Sequence, residues 1–150
     1  TLGLSAVVNA AGYGVIDLEK VVESSQYLKQ QNASLEASIK PQASKLEQLN
    51  KELATLQKQS QTQGANLKQI ESQYQAKMTE FTTLQQSVQS RVQTTIQNTN
   101  KTFEARVKQA AEQLRQENSL DLVLNKNAAL AFDSKYDLTA KMIQKVNAIK

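Results

Sequence analysis

From Leu28 onward the apolar positions step alternately by three and four: Leu28, Leu35, Ile39, Leu46, Leu49, Leu53 and Leu56, with Asn32 and Gln42 as polar members of the series. That spacing holds one stripe on one helical face and predicts a heptad-patterned helix that packs against a partner. The stripe lapses over Gln57–Gln63. A different period follows, in which Ile70, Phe81, Val92, Phe103 and Leu114 recur every eleven residues, with Tyr74, Ile96 and Val107 in a parallel row. An eleven-residue repeat drifts around a helix in the opposite sense to a heptad. Two such helices can match well in places and only loosely elsewhere.

The breakers fall where this pattern changes. Between Gly14 and Lys150 the chain has one glycine, Gly64, and one proline, Pro41. Glycine and proline cost about 1 and 3 kcal/mol inside a helix, so a lone glycine midway through a long helical run reads as the turn of a helical hairpin. Asn66 is placed to cap the second helix, with Gln69 three residues on completing a capping pair. Pro41 removes one backbone hydrogen bond, and a bend is expected about one turn beyond Ile39. The heptad resumes in phase at Leu46, so the helix continues.

The two ends change period again. Tyr13-Gly14-Val15-Ile16 is a short strand-type run, and Asp17 is placed to cap a helix beginning at Leu18. Leu120, Leu122 and Leu124 alternate with Asp121 and Val123. Asn125-Lys126-Asn127 then reads as a turn, and Ala128, Leu130 and Phe132 alternate back, which predicts a β-hairpin. Asp137 precedes a last amphipathic helix with Leu138, Met142, Val146 and Ile149 on one face. Three short strands bury little and leave open edges. An obligate homo-oligomer is therefore expected, joined through Val15, Ile16, Leu120, Leu122, Leu124, Leu130 and Phe132. The fold class is α+β, predominantly helical. The expected organisation is a β-body from 12–22 and 119–150, and a helical hairpin arm over 23–118 with its tip near 64.

Leu2-Gly3-Leu4-Ser5-Ala6-Val7-Val8 is apolar and uncharged, and Val8-Asn9-Ala10-Ala11 offers small residues at cleavage-type spacing. Residues 1–11 thus read as the remnant of a secretory signal peptide. Composition narrows the chemistry further. His and Cys are both absent, which removes the commonest general base and the thiolate nucleophile. Catalytic, cofactor-binding and metal-binding residues are accordingly assigned to none. The net charge of +4 and pI near 9.3 favour acidic partners without choosing among them.

Val15-Ile16-Asp17-Leu18-Glu19-Lys20-Val21, Leu120-Asp121-Leu122-Val123-Leu124-Asn125-Lys126-Asn127-Ala128 and Tyr136-Asp137-Leu138-Thr139 resemble the Skp/OmpH family of periplasmic chaperones. The middle of the chain is similar to that family only in length, scarcity of Gly and Pro, and central tip. The resemblance implies a jellyfish-like homotrimer in the periplasm. Strands of three subunits would form a body from which helical hairpins enclose a cavity for unfolded outer-membrane proteins, held without ATP. Anionic lipid or lipopolysaccharide would be a further partner, although the family's lipopolysaccharide-binding residues find no matching motif here. The middle is richer in Gln and Thr, and less basic, than the family pattern.

On the second arm the apolar stripe is broader than one partner helix covers. Leu67, Ile70, Tyr74, Met78, Phe81, Leu84 and Val88 are the candidate client-binding residues, with Lys58, Lys68, Lys77 and Arg91 as long-range attractors. The central row also suits an ordinary seam within the hairpin, and the charges suit a solvated face. Two other classes remain. Nonspecific nucleic-acid binding fits the pI, but acidic residues interleave along both arms and no specific nucleic acid is expected. A structural coiled-coil spacer of the cell envelope fits the helices alone.

Overall fold

The computed structural model describes residues 12–150; the expected leader remnant, 1–11, lies outside them. The elements are β1 (Tyr13–Ile16), α1 (Leu18–Glu23), α2 (Gln26–Ser60), α3 (Leu67–Glu117), β2 (Leu122–Asn125), two 3-10 turns (Lys126–Ala128 and Ser134–Tyr136) and α4 (Thr139–Ala148). They fall into two compact units. One contains the residues up to Lys29 together with Lys101–Lys150, and the other is Gln30–Asn100.

The first unit is a small body. β1 and β2 pair in parallel, from Tyr13 opposite Leu122 to Ile16 opposite Asn125. The other edge of β1 is also used: the Leu138 N–H donates to the Val15 carbonyl at 2.8 Å, beside a parallel bridge between Val15 and Asp137. Gly14 lets Leu138 and Leu120 close over the strand, since a Cβ there would stand 2.7 Å from Leu138 Cδ1. Beneath the strands lies a core of Ile16, Val21, Phe103, Ala110, Leu114, Met142 and Val146. The expected face of α4 is the one buried, with Leu138 and Ile149 packed at its margin.

The β-hairpin expected over Leu120–Phe132 does not form. A two-residue hairpin turn needs positive φ, yet Asn125 has φ −70° and ψ 139° and the chain enters a 3-10 turn. Among the described residues only Ser119 and Gly64 have positive φ. The Asn125 side chain is committed elsewhere, its Oδ1 accepting the Leu18 N–H at 3.4 Å. Leu120 precedes β2. Ala128, Leu130 and Phe132 lie outside any strand, and Leu130 is fully exposed at 108 %.

Helix ends follow local chemistry. Asp17 caps α1 through Oδ1, which accepts the Lys20 N–H at 3.3 Å. The helix expected to run on from Leu18 breaks at Ser24–Ser25, because Ser25 Oγ accepts the Leu28 N–H at 3.2 Å and starts α2 afresh. α3 ends with Ser119 left-handed at φ 51°. The Ser119 N–H bonds Gln116 O and the Leu120 N–H bonds Arg115 O, the pairing of a Schellman end in which glycine is usual. Asp137 lies one residue before the N-cap position of α4, which Leu138 occupies. From there Asp137 Oδ1 accepts both the Thr139 N–H and its hydroxyl proton, while Thr139 Oγ1 accepts the Asp17 N–H at 2.9 Å.

These bonds hold the Asp137 carboxyl below its ordinary pKa of 3.8, the Thr139 hydroxyl first and the Thr139 N–H second, with Lys20 and Lys126 assisting against a burial effect. A carboxylate with a depressed folded pKa stabilises the fold above its unfolded pKa and loses that contribution as pH falls through the folded value. The body should therefore weaken as pH drops below about 4. Asp137→Asn should flatten the dependence of the urea midpoint on pH between 5 and 2.5. An unchanged slope would remove Asp137 from this account.

The second unit is an antiparallel pair. Lys45 meets Glu80 at 3.6 Å and Glu52 meets Lys77 at 2.7 Å, so ascending α2 corresponds to descending α3. α2 continues through Pro41. Leu49, Leu53 and Leu56 of the heptad are buried. The turn is as expected: Gly64 has φ +81°, and Asn66 Oδ1 accepts the Gln69 N–H at 3.2 Å. In the eleven-residue row, Phe103 and Leu114 are buried within the body, whereas Ile70, Phe81 and Val92 are only half-buried. Ile96 leaves its row and is exposed.

Candidate functional site

All eleven candidate client-binding residues belong to the Gln30–Asn100 unit. Three of them, Leu67, Ile70 and Tyr74, come together on the first two turns of α3. There they line a surface groove of about 440 Å³ with Glu71 and Gln75, opposite Leu56, Gln57 and Ser60 of α2. Its lining combines the apolar side chains of Leu56, Leu67 and Ile70 and the Tyr74 ring with amides, hydroxyls and one carboxylate. Leu67, the first residue of α3, is exposed at 58 %. Met78, Phe81, Leu84 and Val88 continue along α3 as half-buried side chains and do not line the groove.

Leu56, Gln57 and Ser60 were missed as groove residues. Leu56 reads as the last heptad leucine, and only its position directly before the lapse of the stripe hints that one flank stays open. The charged candidates divide as well. Lys77 is not a free cation: its ammonium contacts Glu52, which raises the Lys77 pKa and, with Gln48, lowers that of Glu52. Lys58, Lys68 and Arg91 are exposed and make no ion pair among the described residues.

The expected oligomerisation residues separate by exposure. Val15 and Ile16 are buried in the chain's own body and cannot serve as a free surface. Leu120, Leu122 and Phe132 are half-buried, and Leu124 and Leu130 are exposed. Tyr13 and Tyr136 are also exposed aromatics. Alternation alone did not single these two out, because Tyr13 opens β1 and Tyr136 closes a 3-10 turn.

The first unit is built on a parallel strand pair, and the second is a helical hairpin with an apolar groove beside its turn. This is the architecture of the OmpH-like proteins. A family model described as "Outer membrane protein (OmpH-like)" matches residues 12–146, and the chain belongs to that family. A crystal structure from Caulobacter crescentus CB15, named a candidate outer membrane chaperone (OmpH-like), shares the fold with a TM-score of 0.76 at 21 % identity, covering 93 % of this chain and 85 % of the other. No match in sequence was found among curated proteins.

Proposed function

We propose that this chain is an ATP-independent periplasmic holdase that assembles as a homotrimer and keeps unfolded outer-membrane proteins from aggregating in transit. The observation that carries the reading is the open apolar groove of Leu56, Leu67, Ile70 and Tyr74, continued by half-buried Met78, Phe81, Leu84 and Val88. Holding without an energy source requires contacts that are weak, numerous and tolerant of shape. Thioether and aromatic groups supply such contacts. Membership of the OmpH-like family and the name of the Caulobacter neighbour point the same way.

Lys58, Lys68 and Arg91, which make no ion pair among the described residues, would attract acidic client segments, anionic lipid or lipopolysaccharide, with a reach of about 8 Å at physiological salt. The contacts themselves are apolar, so capture should persist at high salt. The test dilutes a denatured outer-membrane β-barrel protein into buffer containing the chaperone and follows light scattering. Suppression is expected at an equimolar ratio of assembly to client, with or without ATP. Ile70→Ser with Tyr74→Ser should lose most of it while retaining helical content. Lack of protection at several-fold excess would leave a structural spacer as the better account.

A further inference from the structure

One flank of α3 has a composition of its own. Leu67, Glu71, Gln75, Met78 and Thr82 follow one another by steps of three and four, which keeps them on one side of the helix. About five turns further on, Gln85, Gln89, Gln93, Ile96 and Asn100 repeat the same steps on the same side. The flank thus runs for about 50 Å at 1.5 Å per residue. Its first turns are the groove wall formed by Leu67, Glu71 and Gln75. Leu67 and Ile96 are the exposed large hydrophobics of the Gln30–Asn100 unit, and both lie on this flank.

Charge is kept off it. Glu71 is its one charged residue. Between Gln75 and Asn100, α3 carries Lys77, Glu80 and Arg91, and the same turn count sets all three on the opposite flank. There Lys77 and Glu80 are paired with Glu52 and Lys45 of α2, beside a separate groove lined in part by Gln48, Glu52, Gln73 and Lys77. The glutamines also differ in what they do. Gln48 and Gln116 bond the carboxylates of Glu52 and Glu112. Gln85, Gln89 and Gln93 are exposed, and their amides bond no other group among the described residues.

We propose that this flank binds an extended, uncharged stretch of polypeptide through its backbone, the glutamine amides bonding the peptide N–H and C=O groups. The proposal rests on the holdase reading and names the part of a client that is recognised. An amide offers donor and acceptor side by side. A peptide backbone presents both at regular intervals whatever its sequence. Gln85, Gln89 and Gln93 stand about 6 Å apart along the helix axis, and the groups on one edge of an extended chain recur about every 6.7 Å. The flexible glutamine stems take up the difference. A charged segment would surrender water on this flank without gaining a partner. Leu67, Met78 and Ile96 add apolar contacts too widely spaced to select a side-chain pattern. The whole flank has the length of about fifteen extended residues.

The test uses the full chain and two fluorescent peptides of about fifteen residues, built from Ser, Thr, Ala and Val. They share one sequence, and the second is N-methylated at alternate backbone nitrogens, which removes donors and leaves the side chains unchanged. Followed by anisotropy, the parent should bind the first peptide about tenfold more tightly than the second. Gln85→Ala combined with Gln89→Ala and Gln93→Ala should weaken the first by about as much and abolish the discrimination. Alanine favours the helix, so the arm keeps its fold. Ser87→Ala with Asn98→Ala, exposed on the opposite flank, should match the parent. Equal binding of the two peptides by the parent, or no binding of either, overturns the proposal. So does full affinity in the triple variant, or displacement of the peptide by dextran, which would assign the amides to a neutral polysaccharide. The light-scattering assay separates this proposal from the reading beneath it. A parent that discriminates the peptides but does not protect the β-barrel protein overturns the holdase reading and keeps backbone recognition. A triple variant that protects as well as the parent overturns the amide flank and leaves the holdase reading standing.

Discussion

Leu114→Ala should remove about 3–5 kcal/mol from the stability of the body. Leu114 is completely buried and sits in one cluster with Ile16, Val21, Phe103, Met142 and Val146. Those residues come from β1, α1, α3 and α4, so a cavity at Leu114 is felt by every element that closes the unit. Relaxation into the space is limited by Ala110, itself fully buried one turn away. The same truncation at Leu84, a half-buried position of the hairpin, removes a side chain that already contacts solvent. It should cost on the order of 1 kcal/mol. Urea unfolding followed by tyrosine fluorescence in a Tyr74→Phe background reads the body through Tyr13, Tyr27 and Tyr136. Far-ultraviolet circular dichroism is dominated by α2 and α3 and should lag behind it. Equal costs at Leu114 and Leu84 would mean that the buried cluster is not the stabilising centre.

Leu130→Asp should dissociate the proposed trimer, raising its dissociation constant at least a hundredfold, while each subunit keeps its fold. The body makes no use of this side chain: it is fully exposed and follows the 3-10 turn after β2. A charge there costs the single chain nothing in desolvation. In an interface it would be buried without a partner, which is expensive. Leu122→Asp is a poorer probe, because Leu122 lies half-buried in β2 opposite Tyr13 and would perturb the subunit too. Sedimentation or native mass measurement decides the matter. A Leu130→Asp protein that keeps the parent's mass would show that this leucine lies outside any interface.

Local signals were the ones that read correctly. The heptad leucines, the Gly64–Asn66 turn and the buried face of α4 each depend on residues within a turn or two of one another. Asp17 is a cap for the same reason. What escaped sequence reading is decided at long range. Leu122–Asn125 alternates as a strand must, but nothing in alternation says that its partner is Tyr13–Ile16, more than a hundred residues earlier. A β-hairpin was the shorter path, and it fails because the Asn125 amide serves the start of α1. The break at Ser24–Ser25 had a visible sign in the paired serines, outweighed by the absence of Gly and Pro. At the candidate site, the α3 side of the groove was legible from the breadth of its stripe. The α2 side was not: Leu56 satisfies the heptad and is buried, and only its place just before the stripe lapses hints at the groove beside it.

The parallel pairing of β1 with β2 also constrains the order in which the chain folds during synthesis. Gly12 bonds Asp121 across 109 residues, and Gln26 meets Asn147 across 121. The helical hairpin can form as soon as Gly64 and the first turns of α3 have left the ribosome, since its contacts close a short loop. The body must wait for Met142 and Val146, made long after the hairpin. Until then, Val15, Ile16 and Val21 have no core to enter. An emerging chain is therefore a finished hairpin preceded by strand and helix residues that lack their core, and closure of the body follows well after the hairpin with a high loop-closure cost.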